Sequence, residues 1–504
     1  MRRSLTCSAG PYLDHIKALC GSNPGLKTRD PANKESQMRD GNAKVVLLES
    51  PPTKQPEFSR TDFKSVTELR RHFEENKDSH AQRRVYIMEG LARDYIAAMG
   101  DHFFMDPSFF VRQERTCPWS NDFTPTSDAL PPPSSLNPEK TFLLQYCELR
   151  QFQASLPNAP FFCNETGRHV GMTAARTKND TTVAILRRKV SWWCRTTEGG
   201  GWDVVILCDP QLRDLRPEPK RGRISNVPFQ GGYLDFVPPP PHDRAASAPK
   251  HQHCSMLEDL CHYLTNHSSL LTDEEDSGQD EWRLPQTSSF FVKKIVAAHY
   301  LQLIDYIKAM LPSLELRLTT AWLEEQGQWK SLQTISRRCG NYHDDVEDIL
   351  LSLGYRLDQN QVRTDWKDCE TDFQYIYHRL KTLKQRADNL MQAMTGLASI
   401  AGNRQNLEEA KRVKRLNLLA LFFIPLAYTS SLFSMQESYA PGNNKFWVYW
   451  VIAIGAVLFT VVATWALDSA FLDDSAQWKL PRPLKPFKRK ISSLFSSESD
   501  RSTD

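Results

Sequence analysis

The sequence predicts an α+β membrane protein: an N-terminal mixed α/β cytosolic domain, a long stalk helix, and a C-terminal hairpin of two transmembrane helices. Three observations carry this. Two apolar segments without a charged side chain lie near the C-terminus, a proline-free helical stretch from about Thr364 to Pro425 leads into them, and β-branched and aromatic runs mix with helical ones upstream. At roughly 100 to 200 residues per domain, the 504 residues allow several domains. The 63 Lys and Arg against 60 Asp and Glu are too even for a nucleic-acid coat, so no nucleic-acid partner is expected. A mean hydropathy of -0.51 excludes a polytopic protein of many spans but not one with two. Eleven cysteines, spread from Cys7 to Cys369 without a CxxC pair, fit a reducing compartment better than a disulfide framework. No GxxxxGK[ST], HExxH, GxSxG or GxGxxG occurs, so no enzymatic activity is expected.

Residues 1–60 mix Lys, Arg, Pro, Ser and Asn without a period and read as a disordered tail. The α/β cytosolic domain is expected over 61–285. Within it 84–92 reads as a strand, 92–103 as a helix, and 141–152, 181–195 and 201–210 as strands. A Pro-rich linker follows at 238–249. Residues 286–415 form the helical region and stalk, with helices at 290–311 (stopped by Pro312), 314–339 and 343–355. A helix from about Thr364 to Ser434 would be on the order of 100 Å long, so it would leave the membrane as a stalk. Gly396 and Gly402 are its weak points.

The first span is expected at 416–436 and the second at 446–467, each near the roughly 20 residues a bilayer needs. Between them lies an external loop, 437–445, with Pro441 and Gly442. Phe446, Trp447, Tyr449 and Trp450 cluster as interfacial aromatics do. Lys411, Arg412, Lys414 and Arg415 precede the first span and a basic tail at 468–504 follows the second, while the loop has only Lys445. Both termini are therefore expected in the cytosol. No signal-like apolar segment opens the chain, and the plasma membrane is expected rather than an organelle. Sequons at Asn164, Asn179 and Asn266 then read as chance matches.

On the first span Leu416, Ala420, Ile424, Ala427, Ser431 and Ser434 recur every three or four residues and share one face. Such a stripe suits either a pore wall or close helix packing. Pro425 should kink the helix and free a backbone carbonyl.

Taken together, the α/β domain, the long helix entering through a basic collar (KRVKRLNLLALFFIPLAYTSSLFSM), the short loop and the second span with its basic tail resemble the CorA-like divalent-cation (Mg2+) transporters, in their divergent eukaryotic branch. The resemblance is good over about 366–490. It implies a funnel-shaped homopentamer whose first spans line a central pore, with no cofactor beyond the transported cation, Mg2+ or a related divalent ion. It also favours pore lining over packing for the stripe. The family's Gly-Met-Asn, whose amide oxygens hold a hydrated cation at the outer mouth, matches Ser434-Met435-Gln436 after Phe433, with Ser in place of Gly and Gln in place of Asn. Five Gln436 side chains would still present carbonyl oxygens to the ion's water shell. Glu437 is the carboxylate at the entrance. The expected function is divalent-cation transport down an electrochemical gradient; the alternative is a non-conducting scaffold that kept the architecture for interaction or regulation. The expected partners are the lipid bilayer, the divalent ion and further copies of this chain.

Other constellations are less specific. His251, His253, Cys254, Cys261, His262 and His267 crowd together but match no usual zinc spacing, and no metal site is assigned to them. The acidic runs Asp273 to Asp276 and Asp344 to Asp348 suit either solvated loops and helix starts or, as the resemblance implies, sensing of intracellular divalent ions.

Overall fold

The computed structural model describes residues 7, 10–23, 26, 42–53, 56–76, 81–115, 137–153, 156, 161–173, 182–216, 225–238, 253–272, 281–315, 325–358, 365–434 and 444–471. Compactness divides the chain into two units, residues 1–394 and 395–504.

The first unit is built on one sheet of ten strands among the described residues: β1 Lys44–Ser50, β2 Ser59–Phe63, β3 Arg83–Glu89, β4 Thr141–Phe152, β5 Phe161–Cys163, β6 His169–Met172, β7 Thr182–Thr196, β8 Trp202–Cys208, β9 Leu215–Arg216 and β10 Asn226–Pro228. The main order is β2-β1-β3-β8-β7-β6-β5-β9. Only β3 and β8 pair in parallel among the described residues. The long β7 branches the sheet. One of its edges carries β4 along its full length, and the other is shared by β8 over 190–196 and β6 over 184–186.

The central strands read as continuous apolar runs (VVLL, VYIM, DVVILC) because both faces of the sheet are covered. Alternate residues go to opposite cores. Val46, Leu48, Val85, Ile87, Val204 and Ile206 face one side, and Val45, Leu47, Tyr86, Met88, Val205 and Leu207 the other. The second side is covered by α1 Pro11–Leu19, α2 Val66–Glu75, α3 Arg93–Phe103 and α4 Pro107–Glu114. The first is covered by α5 Met256–Asn266, α6 Ser289–Glu315, α7 Glu325–Leu353 and the opening turns of α8 Cys369–Phe433. Local signals set the helix starts. Ser65 accepts from Glu68 N while Glu68 reaches back to Lys64 N, and Ser255 caps α5 by accepting from Glu258 N. Glu258 then pairs with Lys44 and Arg60, tying α5 to β1 and β2.

Three expectations need correction. Residues 1–60 are not a disordered tail throughout: β1 lies inside the sheet with Val45 to Leu48 buried, and Tyr12 of α1 packs on Gly100 and donates to the Met105 carbonyl. A four-residue apolar run gains its stability from partners far along the chain, so its polar flanks misled. Helix α6 does not stop at Pro312 but runs to Glu315, since a proline in a last turn disturbs few hydrogen bonds. Within the described residues from Glu325 on, the helices expected at 314–339 and 343–355 are one helix, α7; Gly340 is bridged because Cys339, Tyr342, Val346 and Leu350 hold one buried stripe on both sides of it.

In α8 the residues Phe373, Ile376, Leu380, Leu383, Ala387, Leu390 and Met394 are buried at alternating steps of three and four, the pattern of a packed helix seam. Lys294 of α6 bonds Asp372 at 2.6 Å, and Ser336 of α7 bonds Asp388, fixing that seam. The second unit holds residues 395–433 of α8 and the helix α9 Phe446–Phe471. The linker after Pro238, the acidic run Asp273 to Asp276, Met435, Gln436, Glu437 and the basic tail beyond Phe471 lie outside the described residues.

Candidate functional site

Among the described residues two helices are long and apolar enough to cross a membrane, α8 in its C-terminal part and α9. Both leave large apolar side chains such as Phe423, Leu458 and Phe459 exposed, which separates them from core helices of a soluble protein. Their length, composition and apolar circumference are those of an integral membrane hairpin.

Within the second unit the packed seam is narrow. Thr429 and Ala453 are fully buried, and the rings of Phe433 and Tyr449 meet edge-on at 5.9 Å. Half-buried Leu421, Pro425, Leu426 and Phe433 flank Thr429 on α8. At about 100° per residue, Ala427 and Ser431 lie on the side of the helix opposite Thr429. Leu416, Ala420, Ile424 and Ser434 fall on that same opposite face. Leu416 and Ile424 are 65% and 67% exposed, Ala427, Ser431 and Ser434 are exposed as well, and Ala420 is half-buried. The stripe is therefore not the surface that packs the hairpin.

Helix α8 continues across Pro425, which borders the seam rather than the stripe. Thr429 Oγ1 donates to the Leu426 carbonyl. The collar Lys411, Arg412, Lys414 and Arg415 is exposed. At the other end Phe446, Tyr449 and Trp450 form an aromatic group with ring centroids 5.4 to 5.9 Å apart. Of the outer-mouth motif only Ser434 is described, its N–H bonded to the Ser430 carbonyl as a last helical turn.

In the first unit the His/Cys-rich stretch does not converge on a metal. Cys261 is in the core, where burial pushes its thiol up to about 12, so it stays protonated. His253 stands 3.3 Å from Asp259 and stacks against Tyr233. His262 and His267 meet each other's ring edges and Tyr263, and His262 Nδ1 lies 3.0 Å from the Asn266 amide nitrogen. His251 lies outside the described residues.

The acidic run on α7 divides. Asp345 turns inward to Arg187 of β7 at 3.1 Å, and burial pushes its carboxyl up to about 6 against the pull of that guanidinium. Asp344 and Glu347 turn outward beside His343, the one group of three potential metal donors that converges among the described residues. The residue spacing pointed to the carboxylates but not to His343.

The sheet also buries an ion-pair group with no sequence signature. Glu148 of β4 lies 2.8 Å from Arg188 and 3.1 Å from Arg150. Burial opposes its charge, yet the two guanidinium groups hold the carboxyl down at about 2.

No curated protein matches the chain. Among solved structures, the complete structure of the CorA magnesium transporter from Methanocaldococcus jannaschii aligns over 83% of this chain and 96% of its own, at 9% identity and a TM-score of 0.36. The sequence comparison is more specific: residues 271–468, a range that includes α6 and α7 and runs into the second apolar helix, match the family model described as CorA-like Mg2+ transporter protein.

Proposed function

We propose that the chain transports a divalent cation, Mg2+ or a related hard ion, down its electrochemical gradient through a pore walled by the α8 face Leu416, Ala420, Ile424, Ala427, Ser431 and Ser434. The observation that carries the reading is the placement of that face opposite the hairpin seam, with all of its residues but half-buried Ala420 exposed. Small and hydroxyl-bearing side chains towards Ser434 leave room for an ion that keeps its water, and the apolar inner end suits closure by dewetting. The match to the CorA-like model over both apolar helices supports the same reading.

One hairpin cannot enclose an aqueous path without turning polar surface to lipid, so conduction requires several copies around an axis, and the resemblance to the family implies five. In this reading Gln436 supplies the ring of amide oxygens after Met435, Glu437 concentrates cations at the entrance, and both termini face the cytosol at the plasma membrane. The basic collar and tail support that orientation.

Mg2+ flux into liposomes containing the purified protein tests the function. Gln436→Ala should lower flux at least tenfold while the assembly persists, because the ligands disappear from every subunit at once. Wild-type liposomes without flux, or unchanged flux in the variant, would each overturn part of the reading: the first removes transport and favours a scaffold, the second removes the ring.

A further inference from the structure

His343, Asp344 and Glu347 each bring a donor atom to one point on α7, all within 4.8 Å of one another. His343 and Glu347 are four residues apart and share a helix face, with Asp344 at its edge. The separation of 3.6 Å between His343 Nδ1 and Asp344 Oδ1 is too long for a hydrogen bond. It is close to the spacing, about 3.4 Å, of two ligands each about 2.1 Å from one tetrahedral ion.

Among the described residues no other side chain hydrogen-bonds or ion-pairs with these groups. The imidazole is held by stacking on Tyr377 of α8, with ring centroids 4.2 Å apart, and its Nε2 is shut away without a hydrogen-bond partner. Among the described residues neither Asp344 nor Glu347 pairs with a Lys or Arg.

We propose that this face of α7 is a binding site for a first-row divalent transition ion, with Zn2+ as the reference case, held by the imidazole of His343 and the carboxylates of Asp344 and Glu347. Nitrogen ligation separates it from a site for Mg2+, which prefers oxygen donors throughout and keeps its waters. Asp344 is exposed, with its side chain 75% accessible, so water completes the coordination. A dication there would offset the negative charge of Asp344 and Glu347 on the outer face of α7. The site does not depend on the transport reading, since all three donors lie on one helix of one chain.

The test is isothermal titration of the full-length protein in detergent with ZnCl2, in the presence of millimolar MgCl2. Wild-type protein should bind one more Zn2+ per chain than His343→Ala and His343→Gln, or bind it at least tenfold more tightly. The Gln variant keeps the bulk against Tyr377, and circular dichroism checks the fold of both. With Co2+ as the probe, visible absorption bands of a nitrogen-ligated ion should appear in wild type and vanish in both variants. Equal Zn2+ binding in folded variants, or displacement of the ion by millimolar Mg2+, would overturn the proposal.

Discussion

At the residue scale, two arginine-paired carboxylates of the first unit, Glu148 and Asp345, should respond to acid in opposite ways. Glu148 is held at about 2, below an ordinary carboxyl, so it contributes stability above the unfolded value of 4.5 that is lost as pH falls towards 2. Removing its charge strands two guanidinium groups, and Glu148→Ala should cost about 3 kcal/mol or more in denaturant unfolding at neutral pH. Asp345 sits at about 6, above its unfolded 3.8. The folded state therefore holds that proton more tightly, and stability from this group falls as pH rises from about 4 to 6. Asp345→Asn should flatten that part of the pH dependence of the thermal midpoint, and an unchanged slope would show that Arg187 compensates the buried charge after all.

At the element scale, α8 changes role at Met394. Up to that residue its apolar positions are buried at steps of three and four; beyond it Leu397 and Ile400 are about half exposed. Leu383→Ala should destabilise the first unit by about 2 to 5 kcal/mol, as core truncations do. Leu397→Ala should change its unfolding by less than about 0.5 kcal/mol, as surface substitutions do. Equal effects would mean that the seam extends into the second unit. The capping of α2 offers a smaller check: Ser65→Ala should cost about 1 kcal/mol, since its hydroxyl takes the Glu68 N–H.

At the scale of the whole molecule, the hairpin determines which side of the bilayer each segment meets. With both termini inside, a membrane-impermeant thiol reagent applied to intact cells should reach a Cys placed at Ser438 and not one placed at Ser492. Labelling only at Ser492 would reverse the orientation argued from the basic flanks. Native mass measurement in detergent should show a closed ring of five chains. A monodisperse monomer or dimer would be incompatible with a pore walled by the α8 stripe, because each hairpin would then expose that stripe to lipid.

The strands at 141–152, 181–195 and 201–210, the helix at 92–103 and both apolar spans were legible because each is long enough for its own periodicity or apolar length to speak. Strand β1 and the fusion of two expected helices into α7 were not, since burial against distant segments outweighed the local signals of polar flanks and Gly340; nor was the passage of α6 through Pro312, which falls in its last turn. The same division runs through the candidate sites. Sequence alone placed Leu416 to Ser434 on one helix face, because helical geometry fixes which residues align. Whether that face packs the hairpin or lies open depends on where α9 sits, and burial of Thr429 on the opposite side decided it. Likewise the spacing of Asp344 and Glu347 was visible in the sequence, but the ring of Tyr377, thirty-odd residues away, is what holds His343 beside them. Local pattern is a property of the chain; which of two exposed faces finds a partner is a property of packing.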